Sequence, residues 1–147
     1  MAVYQVPGEY GTLQEAVESA EDSGDKENSI EIVGSPIRTS SGVALDAAFD
    51  AKRRLTIRPG RHLGRATIAC NDGGHPIFEL TRSGYVTFQD LDIVRRCTNN
   101  SDLMFLGDCN NITVERCRIG SIWSSTGTPG WSNLFVKDPI DVVVRNS

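Results

Sequence analysis

Apolar and polar residues alternate in short stretches along most of this chain, and one pattern returns at intervals of 26 to 31 residues. Each block has apolar residues at its first, third, ninth and eleventh positions. Alternation with a period of two predicts strands that bury one face, so each block predicts two short strands joined by a bend. The blocks are AAFDAKRRLTI (47–57), FELTRSGYVTF (78–88), MFLGDCNNITV (104–114) and LFVKDPIDVVV (134–144). In the first block, Ala47 and Phe49 are the expected inward residues of the first strand.

The repeat interval indicates how these strands are arranged. No Asn-Gly or Asp-Gly pair, the typical two-residue hairpin turn, joins the paired strands. Coils of parallel strands stacked as a solenoid fit the repeat, because each coil then contacts only its neighbours. A third strand is predicted after two of the blocks, with these residues inward: Leu91, Ile93, Cys117 and Ile119.

A helix is predicted ahead of the first coil. Thr12 and Glu15 fit the N-cap and the N3 position of a capping box. Four apolar residues then fall on one helical face. Such a helix covers the open end of a solenoid core, as terminal repeats require. The four residues are Leu13, Ala16, Val17 and Ala20.

The segments YGTLQEAVESA, SIEIVGSPIR, RRLTIRPG, YVTFQDLDI and NITVERCRI together resemble the superfamily of pectate lyases and pectin methylesterases. The resemblance implies an all-β fold, a right-handed parallel β-helix with three parallel sheets, about four coils and an N-terminal capping α-helix. We expect one domain over residues 1–147. Its N-terminal strand and capping helix occupy 1–29 and its coils occupy 30–147.

The last coil is expected to be incomplete. Aligning VVVRNS with VTFQDL and ITVERC places Ser147 at the first residue of a third strand. Either a longer β-helix continues or a second copy covers this end. An uncovered strand edge favours pairing with another chain, so we expect a homodimer. Its interface is predicted to contain Leu134, Val136, Val142 and Val144.

Composition narrows the range of partners. The chain has 15 Lys and Arg against 19 Asp and Glu, a net charge of −4, which argues against nucleic acid. No stretch approaches about 18 apolar residues, so no membrane partner is expected. No signal peptide is visible, which predicts a cytoplasmic location unless a leader has been removed. The arginine pairs at 53–54 and 95–96 are interpreted as solvated surface, and the four cysteines as free thiols.

Arg82, Asp108 and Asp138 align in the bend that follows the first strand of each coil. Stacked carboxylates can bind Ca²⁺ through hard oxygen ligands. Carboxyls about 5 Å apart also suit retaining glycoside hydrolysis. Alternatively, the bend turns the acids toward water, or Arg82 and Lys137 neutralise them. We favour this second interpretation, which leaves no catalytic residue, no metal site and no cofactor.

The outer face of the first strand is the expected ligand face. It carries Glu79, Phe105 and Phe135, and the long loop before the last block holds Trp123 and Trp131. Exposed aromatic rings stack on sugar rings, which makes this face a candidate polysaccharide site. The alternative is that the loop packs over the two phenylalanines as a satellite cluster.

These features favour a small non-catalytic β-helix that self-associates through its C-terminal end and binds carbohydrate. In enzymes of the resembling superfamily, acids and an arginine occupy the outer face of the first sheet. This chain has Glu79, Phe105 and Phe135 there, so no catalytic motif carries over residue by residue. The alternative function is the N-terminal part of a polysaccharide lyase, hydrolase or esterase acting on pectin-like polymers.

Overall fold

The computed structural model describes residues 2–39, 42–70, 76–95, 104–121, 134–137 and 140–145. Within them the chain forms one helix and fourteen strands. The first elements are β1 (Ala2–Val6), α1 (Leu13–Asp22), β2 (Glu27–Ile32), β3 (Ile37–Thr39), β4 (Val43–Asp46), β5 (Arg54–Pro59), β6 (Ala66–Cys70) and β7 (Phe78–Thr81). They are followed by β8 (Gly84–Gln89), β9 (Leu91–Arg95), β10 (Met104–Gly107), β11 (Asn110–Glu115), β12 (Arg118–Ser121), β13 (Leu134–Lys137) and β14 (Ile140–Arg145).

The strands form three parallel sheets that wind as a solenoid of about four turns, which confirms the predicted fold class. The large sheet has the order β1-β2-β5-β8-β11-β14. The first-strand sheet has the order β4-β7-β10-β13, and the third-strand sheet has the order β3-β6-β9-β12. Consecutive strands within one sheet come from consecutive coils, so each coil obtains its backbone hydrogen bonds from its neighbours.

Inward side chains stack in columns from coil to coil. Leu80 pairs with Leu106, and Phe88 pairs with Val114, and all four are fully buried. Of the predicted inward residues of the third strand, Ile119 is partly buried against the core and the others are buried. Val136 and Val144 pair in register with Leu106 and Val114, but their side chains lie outside the described part of the structure.

The first coil departs from the predicted alignment. Its first strand is β4, in which Val43 and Leu45 pair with Phe78 and Leu80. Ala47 lies beyond the end of this strand, is exposed and has φ 52°, so its predicted inward position is wrong. The bend before β5 spans residues 47–53, whereas the corresponding bend before β8 spans only 82–83. Phe49 fills the core from this longer bend, which imitates strand alternation in the sequence.

Helix α1 begins and packs as predicted. The Glu15 N–H donates to the Thr12 hydroxyl at 3.2 Å, which satisfies one of the free amides of the first turn. The helix contacts β1, β2 and β4, the first strands of the large and first-strand sheets. Its apolar face joins the same core as the coils. That face consists of Leu13, Ala16, Val17 and Ala20.

Arg53 is half-buried and is not the solvated surface residue that the sequence predicts. Its guanidinium donates to the carbonyl oxygen of Glu21, to that of Ser23 at 3.2 Å and to that of Ala48 at 3.2 Å. The last turn of α1 has no basic residue of its own. Arg53 therefore places a positive charge where the helix carbonyls converge, a favourable arrangement.

Asn28 forms a buried polar junction at the same end of the solenoid. It is 2% exposed and its Oδ1 accepts from the Ser23 hydroxyl at 2.8 Å and from the Tyr4 hydroxyl at 3.4 Å. Its Nδ2 donates to the Asp25 carbonyl at 3.0 Å and to the Arg54 carbonyl at 3.3 Å. Both ends of the amide are thus bonded, and the junction connects the segment after α1 with β1, β2 and β5.

Replacing Leu106 by Ala tests the stacked core. Leu106 is fully buried between two coils, so the substitution should lower the free energy of unfolding by about 2–5 kcal/mol. Urea denaturation followed by circular dichroism measures this change. Arg118→Ala, an exposed change on β12, should alter stability by less than about 0.5 kcal/mol. Equal effects of the two substitutions would contradict a shared core at Leu106.

Candidate functional site

Opposite charges pair across neighbouring coils on the outer surface. Arg116 lies 2.7 Å from Asp90, and the Asp90 N–H donates to the Glu115 carbonyl in the same corner. Asp92 is in register with Arg118, but its carboxylate accepts from Arg65 at 2.8 Å. These arginines belong to adjacent coils, so each ion pair joins one coil to the next. Most outward acids of the described coils therefore have a structural role as partners of arginines.

The predicted corner column is confirmed for Arg82 and Asp108. Both follow paired strands and both have left-handed φ values, 50° and 53°. Asp138 lies outside the described residues. Arg82 Nη2 contacts both carboxylate oxygens of Asp46 at 2.7 Å, an ion pair that the sequence alignment missed because it misplaced β4. The guanidinium holds the pKa of the Asp46 carboxyl below its ordinary value.

This pairing bears on the candidate calcium and catalytic role of Asp108. Asp108 is exposed, and within the described residues no group of three or more acidic, histidine or cysteine side chains is placed to hold a metal ion. Arg82 is directed to the coil before it by Asp46. Calcium binding or hydrolysis at Asp108 and Asp138 therefore stays a prediction without geometric support from the described residues.

The predicted ligand face is in register along the backbone of the first-strand sheet. Phe105 pairs with Glu79 on one side and with Phe135 on the other. Glu79 is exposed, whereas the side chains of the two phenylalanines lie outside the described part. Trp123 and Trp131 also fall outside the described residues. Sugar binding on this face stays a prediction.

The residues of the predicted dimer interface lie on two strands. Leu134 and Val136 belong to β13, and Val142 and Val144 belong to β14. Among the described strands, β13 is the outermost of the first-strand sheet and β14 is the outermost of the large sheet. Self-association through them stays a prediction.

A groove on the outer face of the large sheet was missed by the sequence analysis. Its volume is about 540 Å³. Its floor is a column of outward threonines, in which Thr87 pairs with Thr56 and with Thr113. We call it the threonine groove. It is lined by Glu27, Arg54, Leu55, Thr56, Tyr85, Thr87, Asn111 and Thr113.

One wall of the threonine groove is an aromatic ring with a cation on it. The Arg54 guanidinium lies 5.2 Å from the centre of the Tyr85 ring, within the range of a cation–π contact. Tyr85 and Asn111 occupy equivalent positions on successive coils and have φ values of 56° and 53°. This left-handed conformation takes both residues out of the regular ladder, in which Gly84 pairs with Asn110 and Val86 pairs with Ile112.

Gly84 makes the close approach of the two coils possible at this point. A Cβ atom built at Gly84 would overlap the Asn110 side chain. Glycine therefore lets Asn110 lie directly over the start of β8. The following residue, Tyr85, is then displaced toward the groove. The sequence does contain a sign of this arrangement, because Gly84-Tyr85 aligns with Asn110-Asn111. The alternation of apolar and polar residues does not reveal it.

Cys109 is a buried free thiol, as expected, and Cys70 and Cys117 are buried as well. Cys97 lies outside the described residues. The Cys109 thiol donates to the Leu80 carbonyl of the preceding coil at 3.3 Å. Burial raises the pKa of the Cys109 and Cys117 thiols, which disfavours the thiolate that a nucleophile requires. Both thiols instead donate to backbone carbonyls at the corners of the coils.

No protein-family model, no curated protein and no solved structure matches the chain. The fold is therefore defined by the geometry itself, a parallel β-solenoid with three parallel sheets and one short helix near the N-terminus. Among the described helical residues, no segment has both the length and the apolar character needed to cross a bilayer.

The ion pair of Asp90 and Arg116 should make stability depend on pH. The bond from Arg116 lowers the pKa of Asp90 in the folded state, so its stabilisation is fully present above the unfolded value of about 3.9 and is lost as the pH falls through the lower folded value. Asp90→Asn should therefore be less stable than the parent by a constant amount above about pH 5, and the gap should close below about pH 4.

Urea denaturation at several pH values between 3 and 7 measures that gap. Arg116→Gln should remove the same pH-dependent part, because it leaves Asp90 without its main hydrogen-bond donor. A gap that stays constant down to pH 3 in both variants would show that ionisation of Asp90 is not linked to folding, which contradicts the prediction.

Proposed function

We propose that this protein is a non-catalytic β-helix that binds carbohydrate, with the threonine groove as its binding face. The observation that carries the proposal is the lining of that groove, which combines a ladder of hydroxyls with one half-buried aromatic residue, Tyr85. The proposal includes membership in the superfamily of pectate lyases and pectin methylesterases. This proposed membership is supported by the three parallel sheets that follow a short N-terminal helix.

The threonine ladder suits a ligand with repeated hydroxyl groups. Thr56, Thr87 and Thr113 are half-buried and stand about 4.8 Å apart on successive strands. Each hydroxyl both donates and accepts a hydrogen bond, as a sugar hydroxyl also does. The ladder thus offers a row of matched partners along the axis of the solenoid.

Tyr85 supplies the apolar contact that a sugar ring needs. A tyrosine ring presents a flat apolar body and a polar hydroxyl, and the C–H face of a sugar packs against such a body. Arg54 holds the ring from one side, and Asn111 stands above it on the next coil. Packing and hydrogen bonding therefore converge on the same groove.

The ion pairs of three outward aspartates favour binding over catalysis. The carboxylates of Asp46, Asp90 and Asp92 are bonded to arginines of neighbouring coils. The pKa values of Asp46 and Asp90 are lowered by those bonds, whereas a general acid needs a raised pKa. Cleavage of pectin-like polymers by the purified protein would instead support the lyase, hydrolase or esterase alternative.

Tyr85→Asn is the sharpest test of the binding face. Asn111 occupies the equivalent position with nearly the same φ, so asparagine keeps the backbone and removes only the ring. We expect the affinity for a bound oligosaccharide to fall about tenfold, the loss of one aromatic contact. Isothermal titration calorimetry with cello-, xylo- and galacturonic acid oligomers measures it.

Glu79→Gln is the matched comparison, because Glu79 lies exposed on the outer face of the first-strand sheet. It should leave the affinity unchanged. If Glu79→Gln weakens binding and Tyr85→Asn does not, the ligand face predicted from the sequence is correct and the threonine groove is not the site.

Self-association through the C-terminal strands is the second part of the proposal. The outermost positions of β13 and β14 in their sheets leave one edge of each without a partner among the described strands. Placing Asp at Val142 or Val144 should convert a dimer into a monomer or an aggregate, because a charge at a strand edge opposes pairing. Sedimentation equilibrium measures the mass. A stable monomer of the parent chain would contradict this part of the proposal.

A further inference from the structure

A second groove lies on the outer face of the large sheet, beside its N-terminal strands. Its volume is about 370 Å³, and we call it the N-terminal groove. It reaches from β1 and β2 to the turn that follows β5. Its lining residues are Val3, Gln5, Glu31, Val33, Gly60, Arg61, His62 and Leu63.

Glu31 is the buried charged residue that lines this groove. It is only 9% exposed, although it lies on the outer face of β2 in register with Gln5 and Arg58. Arg58 Nη2 is 3.6 Å from its nearest oxygen, longer than a direct hydrogen bond. No hydrogen-bond donor of the described residues reaches the carboxylate, which can accept several. A buried carboxylate with open acceptor sites favours a ligand that brings donors.

The rest of the N-terminal groove suits the frame of a sugar. Val3 and Val33 are the two large apolar residues that stand exposed among the described residues, at 36% and 40%. They provide apolar contact for C–H groups. Gln5 and His62 are exposed and offer planar polar groups beside them. Like the threonine groove, the N-terminal groove places apolar surface beside hydrogen-bonding groups, although the side chains that supply them differ.

The two grooves lie along the same strand, β2, on either side of Ser29. Glu27 lines the threonine groove and Glu31 lines the N-terminal groove, and they share one face of β2 about 13 Å apart. Ser29 lies between them and pairs with Val3 of one groove and with Thr56 of the other. Ser29 is 2% exposed and its hydroxyl has no hydrogen-bond partner. This hydroxyl therefore has unused hydrogen-bonding capacity, which a bound water or a ligand hydroxyl can meet.

The charges along both grooves are balanced. Glu27 and Glu31 are matched by Arg54 and Arg61, so the lining offers neither sign in excess. A polymer with a carboxylate on every unit would meet two fixed negative charges as well as the two arginines, so the lining gives it no net electrostatic attraction. A neutral polymer of hydroxyls would bond to both the acids and the arginines without bringing a charge of its own out of water.

We infer that the threonine groove and the N-terminal groove form one binding track for an extended neutral polysaccharide, with Glu31 as the residue that fixes its far end. This inference rests on the proposed carbohydrate-binding function and adds a second subsite and a class of ligand. A ligand must be long enough to span from Tyr85 to Glu31 before both grooves contribute to its affinity.

The test is the dependence of affinity on ligand length. Cello-oligosaccharides of two to six units, and galacturonic acid oligomers of the same lengths, are titrated calorimetrically into the full chain. Glu31→Gln should weaken binding of the longest neutral oligomer about tenfold and leave the shortest unchanged, because only the long ligand reaches this groove. Gln5→Ala, an exposed change in the same groove, should act in the same direction without disturbing the buried site.

Glu9→Gln is the matched control, since it makes the same chemical change in an exposed turn that lines neither groove. Thermal unfolding of each variant shows that it is folded. If Glu31→Gln and Gln5→Ala match the parent at every length while Tyr85→Asn weakens binding, the track is wrong and the proposed function stands. Tighter binding of the galacturonic acid oligomers overturns the neutral class. Binding of no oligosaccharide by the parent overturns both.

Discussion

The in-register stacking of one coil on the next is the constraint on which the rest of this structure depends. Among the described residues, no strand has a hydrogen-bonded partner within its own coil, apart from the isolated bridge between Asp50 and Arg53. The strand backbones and the inward apolar columns find their partners in the coil before or after, and so do the ion pairs of Arg65, Arg82 and Arg116 with aspartates. Stability in such an arrangement is a sum of nearest-neighbour terms, so each coil requires the neighbouring one. The N-terminal helix and the Asn28 junction complete this pattern where no earlier coil is present among the described residues.

The corners maintain that register through repeated local devices. Ser83 and Cys109 occupy the same corner in successive coils, and each donates to a carbonyl of the coil before it, that of Leu45 and that of Leu80. The residues just before them, Arg82 and Asp108, adopt the left-handed conformation, which costs roughly 1–2 kcal/mol for residues other than glycine. Buried hydrogen bonds offset this strain. A thiol and a hydroxyl are interchangeable at this corner because both are small donors.

Much of the fold was predictable because inward residues obey a period of two, which the sequence displays directly. Leu80, Leu106 and Phe88 were placed correctly, and so was the N-cap at Thr12. The first coil was misplaced because Phe49 enters the core from a bend, where an apolar residue looks like part of a strand. The threonine column follows the same alternation, but the groove above it was not predicted. Concavity depends on the conformations of Tyr85 and Asn111, and a left-handed φ leaves no period in the sequence.

The unequal bends of this solenoid show where such a protein tolerates change. The bend at 47–53 is much longer than the bend at 82–83, yet the strands on either side pair without a shift. Corner length is thus uncoupled from the architecture of the sheets, since the extra residues leave the strand pairing intact even though Phe49 among them packs into the core. The corners are therefore natural points for grafting foreign peptides, and a lineage of such solenoids can diversify its surface there while its interior stays constant.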